Sequence, residues 1–128
     1  RLASGRRLYY GRPFLQECDD PYGRVKPTLH YYGIIQASKK WTVGHTYGGR
    51  LVENIVQAIA RDCLAVTLER IAARGLQVVF HVHDEVIIDA PMETTVDEIC
   101  GLMAEPIPWA PGLVLKGAGF ESDYYMKD

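Results

Sequence analysis

The sequence predicts an α+β domain whose strands pair antiparallel, and three observations lead there. From Gly48-Gly49 to about Arg74, apolar residues fall at Val52, Ile55, Val56, Ile59, Cys63 and Val66, the spacing of one buried stripe along a long helix. Two short apolar runs, Leu76 to Val82 and Val86 to Ala90, flank His83-Asp84-Glu85 and read as the two arms of a hairpin. Strands and helices do not alternate as βαβ units, which argues against a parallel dinucleotide-binding sheet.

The elements follow in order. Residues 1–47 read as a basic β-ribbon and loop. Arg6-Arg7-Leu8-Tyr9-Tyr10 is expected as a short strand, and Thr28 to Ile35, rich in Tyr and Ile, as a second. Between them Asp19-Asp20-Pro21-Tyr22-Gly23 has turn chemistry, because Pro presets one backbone angle and Gly accepts the left-handed one. Lys39-Lys40-Trp41 and His45-Thr46-Tyr47 are read as a polar loop. The long helix fills 48–74 and stops at Gly75. The hairpin occupies 76–90 and ends at Pro91. Residues 94–105 form a shorter helix, capped by Thr94 or Thr95, with Asp97 and Glu98 at its positive end. Pro106, Pro108 and Pro111 bar regular structure up to Gly112. In 113–128, Leu113 to Ala118 reads as a last strand, leading into an aromatic tail from Phe120 to Tyr125.

A chain of 128 residues, 48% hydrophobic and 23% charged, is long enough for one domain with a core and too short for two. No segment has the apolar length of a membrane span. The start, Arg1-Leu2-Ala3-Ser4, has neither an initiator Met nor signal-peptide features, so the chain is expected to be a piece of a longer one. Cys18, Cys63 and Cys100 are scattered and odd in number, which fits a reducing compartment and no disulfide framework. The net charge of −2 hides an asymmetry. Residues 1–50 carry nine Lys/Arg against three Asp/Glu, and residues 51–128 carry five against thirteen. A basic half beside an acidic half suits a protein that grips a polyanion and also holds a cation.

Three groups of residues have chemistry to offer. At the hairpin tip, strict alternation would send His81, His83 and Glu85 one way and Asp84 the other. A turn at His83-Asp84 breaks that alternation and presents Asp84 to solvent. Adjacent carboxylates there favour a hard cation such as Mg2+, although Asp84 alone cannot hold one and needs a second acid from elsewhere. The plainer alternative is an ordinary polar turn. A zinc pair at His81 and His83, serving a metal-dependent hydrolase with Asp84, lacks a third ligand in any local pattern. On the long helix, Arg50, Asn54, Gln57 and Arg61 fall on one polar stripe whose donors suit minor-groove acceptors and sugar oxygens. In the ribbon, Arg6, Arg7, Arg12, Arg24, Lys26, Lys39 and Lys40 interleave with Tyr9, Tyr10, Tyr22, Tyr31, Tyr32 and Trp41 and could track a phosphate backbone. For the tyrosines, a role inside the sheet is the favoured reading.

Taken together, these pieces resemble the C-terminal part of family A DNA polymerases, the polymerase I class, in their phage-type form. Val82-His83-Asp84-Glu85-Val86 is similar to that family's motif C, and Gly5-Arg6-Arg7-Leu8-Tyr9 to the Gly-Arg-Arg stretch beyond the fingers. Glu53-Asn54-Ile55-Val56-Gln57-Ala58 through Asp62 resembles the palm helix preceding motif C, and Tyr47 to Asn54 looks phage-like. Lys116 to Lys127 resembles the family's C-terminal strand. The resemblance implies a partial palm: a motif C hairpin packed on the long and short helices, with the basic ribbon appended. It implies that Asp84 is one of two metal-binding aspartates in two-Mg2+ nucleotidyl transfer during DNA replication. Glu85 would tune that site, His83 would support the primer terminus, and Gln57 would touch the minor groove of primer–template DNA. Deoxynucleoside triphosphate would be the second substrate, and the setting a bacterial or phage-infected cytoplasm. The partner aspartate of motif A and the fingers helix lie upstream in the family, so the segment alone is expected to be inactive and to need that portion. The family often has three residues between Asn and Gln. Here Asn54 precedes Gln57 by three positions and Glu53 holds the other register, so either could face DNA. A palm sheet cut from its neighbours is also expected to self-associate. The rival readings are a non-catalytic nucleic-acid-binding module and one half of a split polymerase.

Overall fold

The computed structural model describes residues 1–35 and 39–126. They divide into two compact units, Arg1–Gln57 and Ala58–Asp128. Among the described residues no helix is long and apolar enough to cross a membrane.

The first unit is built on a three-stranded antiparallel sheet in the order β1-β2-β3, with β1 Gly11–Asp19, β2 Val25–Ile35 and β3 Lys40–Thr46. The β1–β2 turn is closed by Asp20. Its Oδ1 accepts the backbone N–H groups of Tyr22 at 2.8 Å and Arg24 at 3.0 Å, and its Oδ2 accepts Arg24 Nε at 3.0 Å. Gly23, at φ 74°, supplies the left-handed step. Two expectations are corrected here. Residues 6–10 are not a strand; the ladder begins at Gly11, where Tyr32 is the partner. The segment expected as a polar loop is β3, because Trp41, Val43 and His45 alternate with Thr42, Gly44 and Thr46 and pair with β2 throughout. Pairing with a neighbour satisfies the backbone groups that a polar composition had suggested would face water.

The two faces of this sheet differ. Tyr31 packs edge-on to Tyr10 at 5.1 Å, and it also fills the space over Gly33 and Gly44. Thr46, 2% exposed, shares that face. The opposite face carries Phe14, His30, Tyr32, Ile34, Trp41, Val43 and His45 and is largely uncovered.

The helix α1 spans Gly48–Ala73, and the boundary between the units falls within it. The expected stripe is corrected: of its six residues only Cys63 is buried, Ile59 and Val66 are half-buried, and Val52, Ile55 and Val56 are 60%, 41% and 59% exposed. The buried positions are instead Ala58, Cys63, Leu64, Thr67 and Ile71, a line turned to one side of the expected one. The C-terminus of α1 closes as a Schellman motif: Gly75 at φ 77° lets its N–H reach Ala72 O at 2.9 Å, and Leu76 N–H reaches Ile71 O at 3.3 Å.

The second unit contains the hairpin of β4 Gln77–Val82 and β5 Glu85–Asp89, a two-stranded sheet of its own, and α2 Val96–Ala104. Thr95 caps α2, its hydroxyl accepting Glu98 N–H at 3.2 Å. The far end of α2 is held from α1. Arg70 donates to the carbonyls of Leu102 at 3.4 Å, Glu105 at 2.9 Å and Pro106 at 2.6 Å, and pairs with the Glu105 carboxylate at 3.4 Å. The carbonyls of Leu102 and Glu105 are among those a helix end leaves without partners, and that of Pro106 follows just beyond the cap. Ile71, Leu102 and Ile107 are 0%, 4% and 1% exposed and anchor the core of this unit.

The expected last strand, Leu113 to Ala118, is also corrected. The segment has no ladder among the described residues and instead runs against α2. A Cβ added at Gly117 would sit 2.9 Å from both Cα and O of Cys100, so only Gly permits this approach. Further along, Tyr125 stacks edge-on against Phe80 of β4 at 5.1 Å.

Candidate functional site

Cross-strand pairs, mostly apolar, build the acidic tip from below. Ile88 lies opposite Val78, Ile87 opposite Phe80 and Val86 opposite His81, with a bulge at Val79 that resets the register. Val82 faces Glu85, which leaves His83 and Asp84 as a two-residue turn. A hairpin that tight needs a positive φ at its first central residue, and His83 takes it at 52°. His tolerates this conformation better than a β-branched residue would.

The consequences for direction are concrete. Directly opposed residues share a face, so Glu85 lies with Val82 and not with His81, whose face partner is Val86. The turn therefore breaks the strand alternation, as it must for Asp84 to project at the bend. His83, Asp84 and Glu85 are all exposed, and among the described residues no side chain bonds to them. Two exposed carboxylates thus follow one another in sequence at the tip with their oxygens available. They are hard donors of the kind Mg2+ takes, but the described residues gather no group of three or more His, Cys, Asp or Glu that would cage an ion. A site here would be completed by oxygens from outside the hairpin.

The residues expected to meet DNA are placed as follows. In the first unit, Gln57 donates to Glu53 Oε1 at 3.2 Å, an i,i+4 pair on the outer face of α1. Asn54 donates instead to the Tyr10 hydroxyl at 2.9 Å and is half-buried. Of the two registers left open by the sequence, Glu53 is thus the exposed one and Asn54 is engaged within the unit. The Arg50 guanidinium lies 5.9 Å from the centre of the Tyr47 ring. Arg6 and Arg7 are exposed on the segment before β1, and Arg61 is exposed on α1 in the second unit.

Sequence reasoning missed two features. Asp20, read as a turn residue, is a heavily bonded carboxylate: the Arg24 backbone N–H, then the Tyr22 N–H, the Arg24 side chain and the nearby Lys26 charge, hold its carboxyl below the usual range against the opposing effect of burial. The second is the uncovered aromatic face of the first sheet: Tyr32 and Trp41 were candidates from sequence, but not as parts of one surface with Phe14, His30 and His45. The alternation of Trp41, Val43 and His45 was its signal.

Fold and site together define an α+β protein with an exposed acidic hairpin tip and a separate basic, aromatic sheet. The chain is 51% identical to a DNA polymerase of Bacillus phage SP02 over 129 residues. That match covers 100% of this chain and 19% of the phage protein, so the chain spans about a fifth of the length of the curated relative it matches. No family profile matches the chain, and no solved structure does.

Proposed function

We propose that this chain is a palm segment of a family A DNA polymerase and contributes half of the metal-binding acid pair that drives nucleotidyl transfer. The observation that carries the reading is the Asp84 tip, which lies within a sequence similar throughout to part of a phage DNA polymerase. Asp84 would hold Mg2+ together with an acid from outside this segment, and the bound ion would stabilise charge on the transferring phosphate. Glu85, on the Val82 face beside it, would tune that field. His83 would support the primer terminus. Gln57, Arg50, Arg61, Arg6 and Arg7 would contact primer–template DNA. Asn54, already bonded to Tyr10, would act by holding the segment before β1 against the start of α1. Deoxynucleoside triphosphate and the remaining polymerase portion complete the set of partners, in a bacterial or phage-infected cytoplasm.

The test is a chimera in which this chain replaces the matching segment of the phage relative. Primer extension should survive the exchange and disappear with Asp84→Ala, while primer–template binding stays close to the parent. Near-normal extension by the Asp84→Ala chimera rejects the reading.

A second reading, a nucleic-acid-binding module or half of a split polymerase, is favoured by the nine Lys/Arg in residues 1–50. Mixing the chain with a separately made remainder of the relative discriminates: recovered extension means a split enzyme, and steeply salt-dependent binding without recovery means a binding module. The exposed Val52, Ile55 and Val56 also favour self-association of the isolated chain, which sedimentation would detect.

A further inference from the structure

The uncovered face of the first sheet is a continuous run of rings. Phe14 stacks on His30 at 5.3 Å with an interplanar angle of 21°, and lies 6.1 Å from Tyr32. His45 continues the run 6.2 Å beyond His30. At the other end Gly11, Arg12, Tyr32 and Trp41 line a cavity of about 380 Å³. The Trp41 ring comes so close that a Cβ on Gly11 would meet its outer edge at 3.7 Å. Yet Trp41 is 68% exposed and Ile34, opposite it, 69%. An indole left this bare on a flat sheet is unspent as core.

Two features say what covers it. Arg12 is held at φ 43° beside the bulge between Gly11 and Phe14, a conformation non-glycine residues seldom adopt and one that places a cation at the cavity. Lys26, opposite Cys18, puts a second cation on the same face toward the far end of the run, within electrostatic reach of Asp20. A protein partner burying this face would strand the Arg12 charge unless it supplied an acid to match. A nucleic-acid strand supplies phosphates to the cations and flat π-faces to the rings, and it suits a half that carries nine Lys/Arg against three Asp/Glu.

We infer that the face bearing Trp41, Tyr32 and Arg12 is a stacking platform for the unpaired bases of single-stranded DNA. It rests on the polymerase reading for the choice of DNA as the strand, and it adds a binding surface separate from the acidic tip. Bases stack on Trp41 and Tyr32, Arg12 pairs with a phosphate, and the strand runs over Phe14 and His30 toward Lys26. Stacking tolerates any base, so the surface binds without sequence preference.

The experiment uses the whole chain with Trp109→Phe, which leaves Trp41 as its one tryptophan. Oligothymidylate should quench Trp41 fluorescence, and a blunt duplex of equal length should quench it far less. Trp41→Ala should weaken oligothymidylate binding about 5- to 150-fold, the range for losing one stacked base, and Trp41→Phe should recover most of it. Arg12→Gln should flatten the salt dependence by about one phosphate contact. Absence of quenching, or equal affinity of folded Trp41→Ala and parent, overturns the inference. So does a dimer that Trp41→Ala dissolves, because a second copy would then occupy the face. Loss of the platform beside intact Asp84-dependent extension in the chimera retires this inference alone; quenching without extension retires the polymerase reading alone.

Discussion

Two glycines of the second unit should respond in opposite directions to the same added methyl group. At Gly101, inside α2, a Cβ meets nothing within 4 Å. Gly→Ala at an exposed helix interior gains about 0.8–1 kcal/mol, because Ala has less backbone freedom to lose. At Gly117 the new Cβ sits 2.9 Å from Cys100 Cα and O and 3.1 Å from Met103 Cβ. Two of those atoms are helix backbone and cannot swing aside, so the tail must lift or α2 must shift, at about 1–3 kcal/mol. Lifting the tail also loosens the Phe80–Tyr125 contact. The two variants should therefore differ by about 2–4 kcal/mol. Urea unfolding followed by far-ultraviolet circular dichroism measures this, with the midpoint moving and the slope held. In thermal melts each kcal/mol corresponds to about 3–5 °C for a chain of this size. Gly117→Ala as stable as the parent, alongside a stabilising Gly101→Ala, would mean that the tail does not lie on α2.

Other side chains give sharp readouts. Arg70→Met keeps the aliphatic stem but removes the donors to three carbonyls, and should cost about 2–3 kcal/mol in urea unfolding, whereas Glu105→Ala, losing a half-exposed ion pair, should cost under about 1 kcal/mol. Asp20 has a folded-state pKa below 3.8, so its contribution to stability is present above that value and is lost as pH falls through the lower folded value; Asp20→Asn should flatten the acid limb of an unfolding-versus-pH curve. Asn54→Ala and Tyr10→Phe should couple by about 0.5–1.5 kcal/mol in a double-mutant cycle, and additive effects would dismiss their hydrogen bond.

Local pattern made the helix, the hairpin and the Thr95 cap legible, because each is specified by residues close in sequence. Errors arose wherever a distant partner decides. Leu113 to Ala118 has the composition of a strand, but a strand needs a ladder, and Gly117 and Gly119 fit it against α2 instead. Lys40 to Thr46 has the composition of a loop, yet β2 offers it a complete register. The strand expected at residues 6–10 is not one, and β1 occupies Gly11–Asp19 instead, where β2 offers a ladder from Gly11 onward. The aromatic face was legible only in part: Trp41, Val43 and His45 alternate along the sequence, but Trp41 and Tyr32 are nine positions apart, and only the pairing of β2 with β3 puts them on one face. Asn54 shows the limit at the level of a single side chain, since its helical position was evident and its Tyr10 partner, 44 residues away, was not.

The acidic tip was legible as an acid at a turn, but the sequence contains a second such place, and composition cannot rank them. Asp19-Asp20 and Asp84-Glu85 are both adjacent acids at the bend of an antiparallel hairpin. They differ in what their oxygens already hold. Asp20 receives four donors from its own turn: the N–H groups of Tyr22 and Arg24, and the Nε and Nη2 of Arg24. Its side chain is 5% exposed and has no capacity left for an ion. Asp84 receives none among the described residues and faces solvent. The difference follows from loop length. Five residues, Asp20 to Arg24, curl around a carboxylate and satisfy it, whereas the two-residue bend at His83-Asp84 has no spare N–H to turn inward. The tight turn leaves Asp84 without donors among the described residues, and so leaves its oxygens open to the cation proposed above.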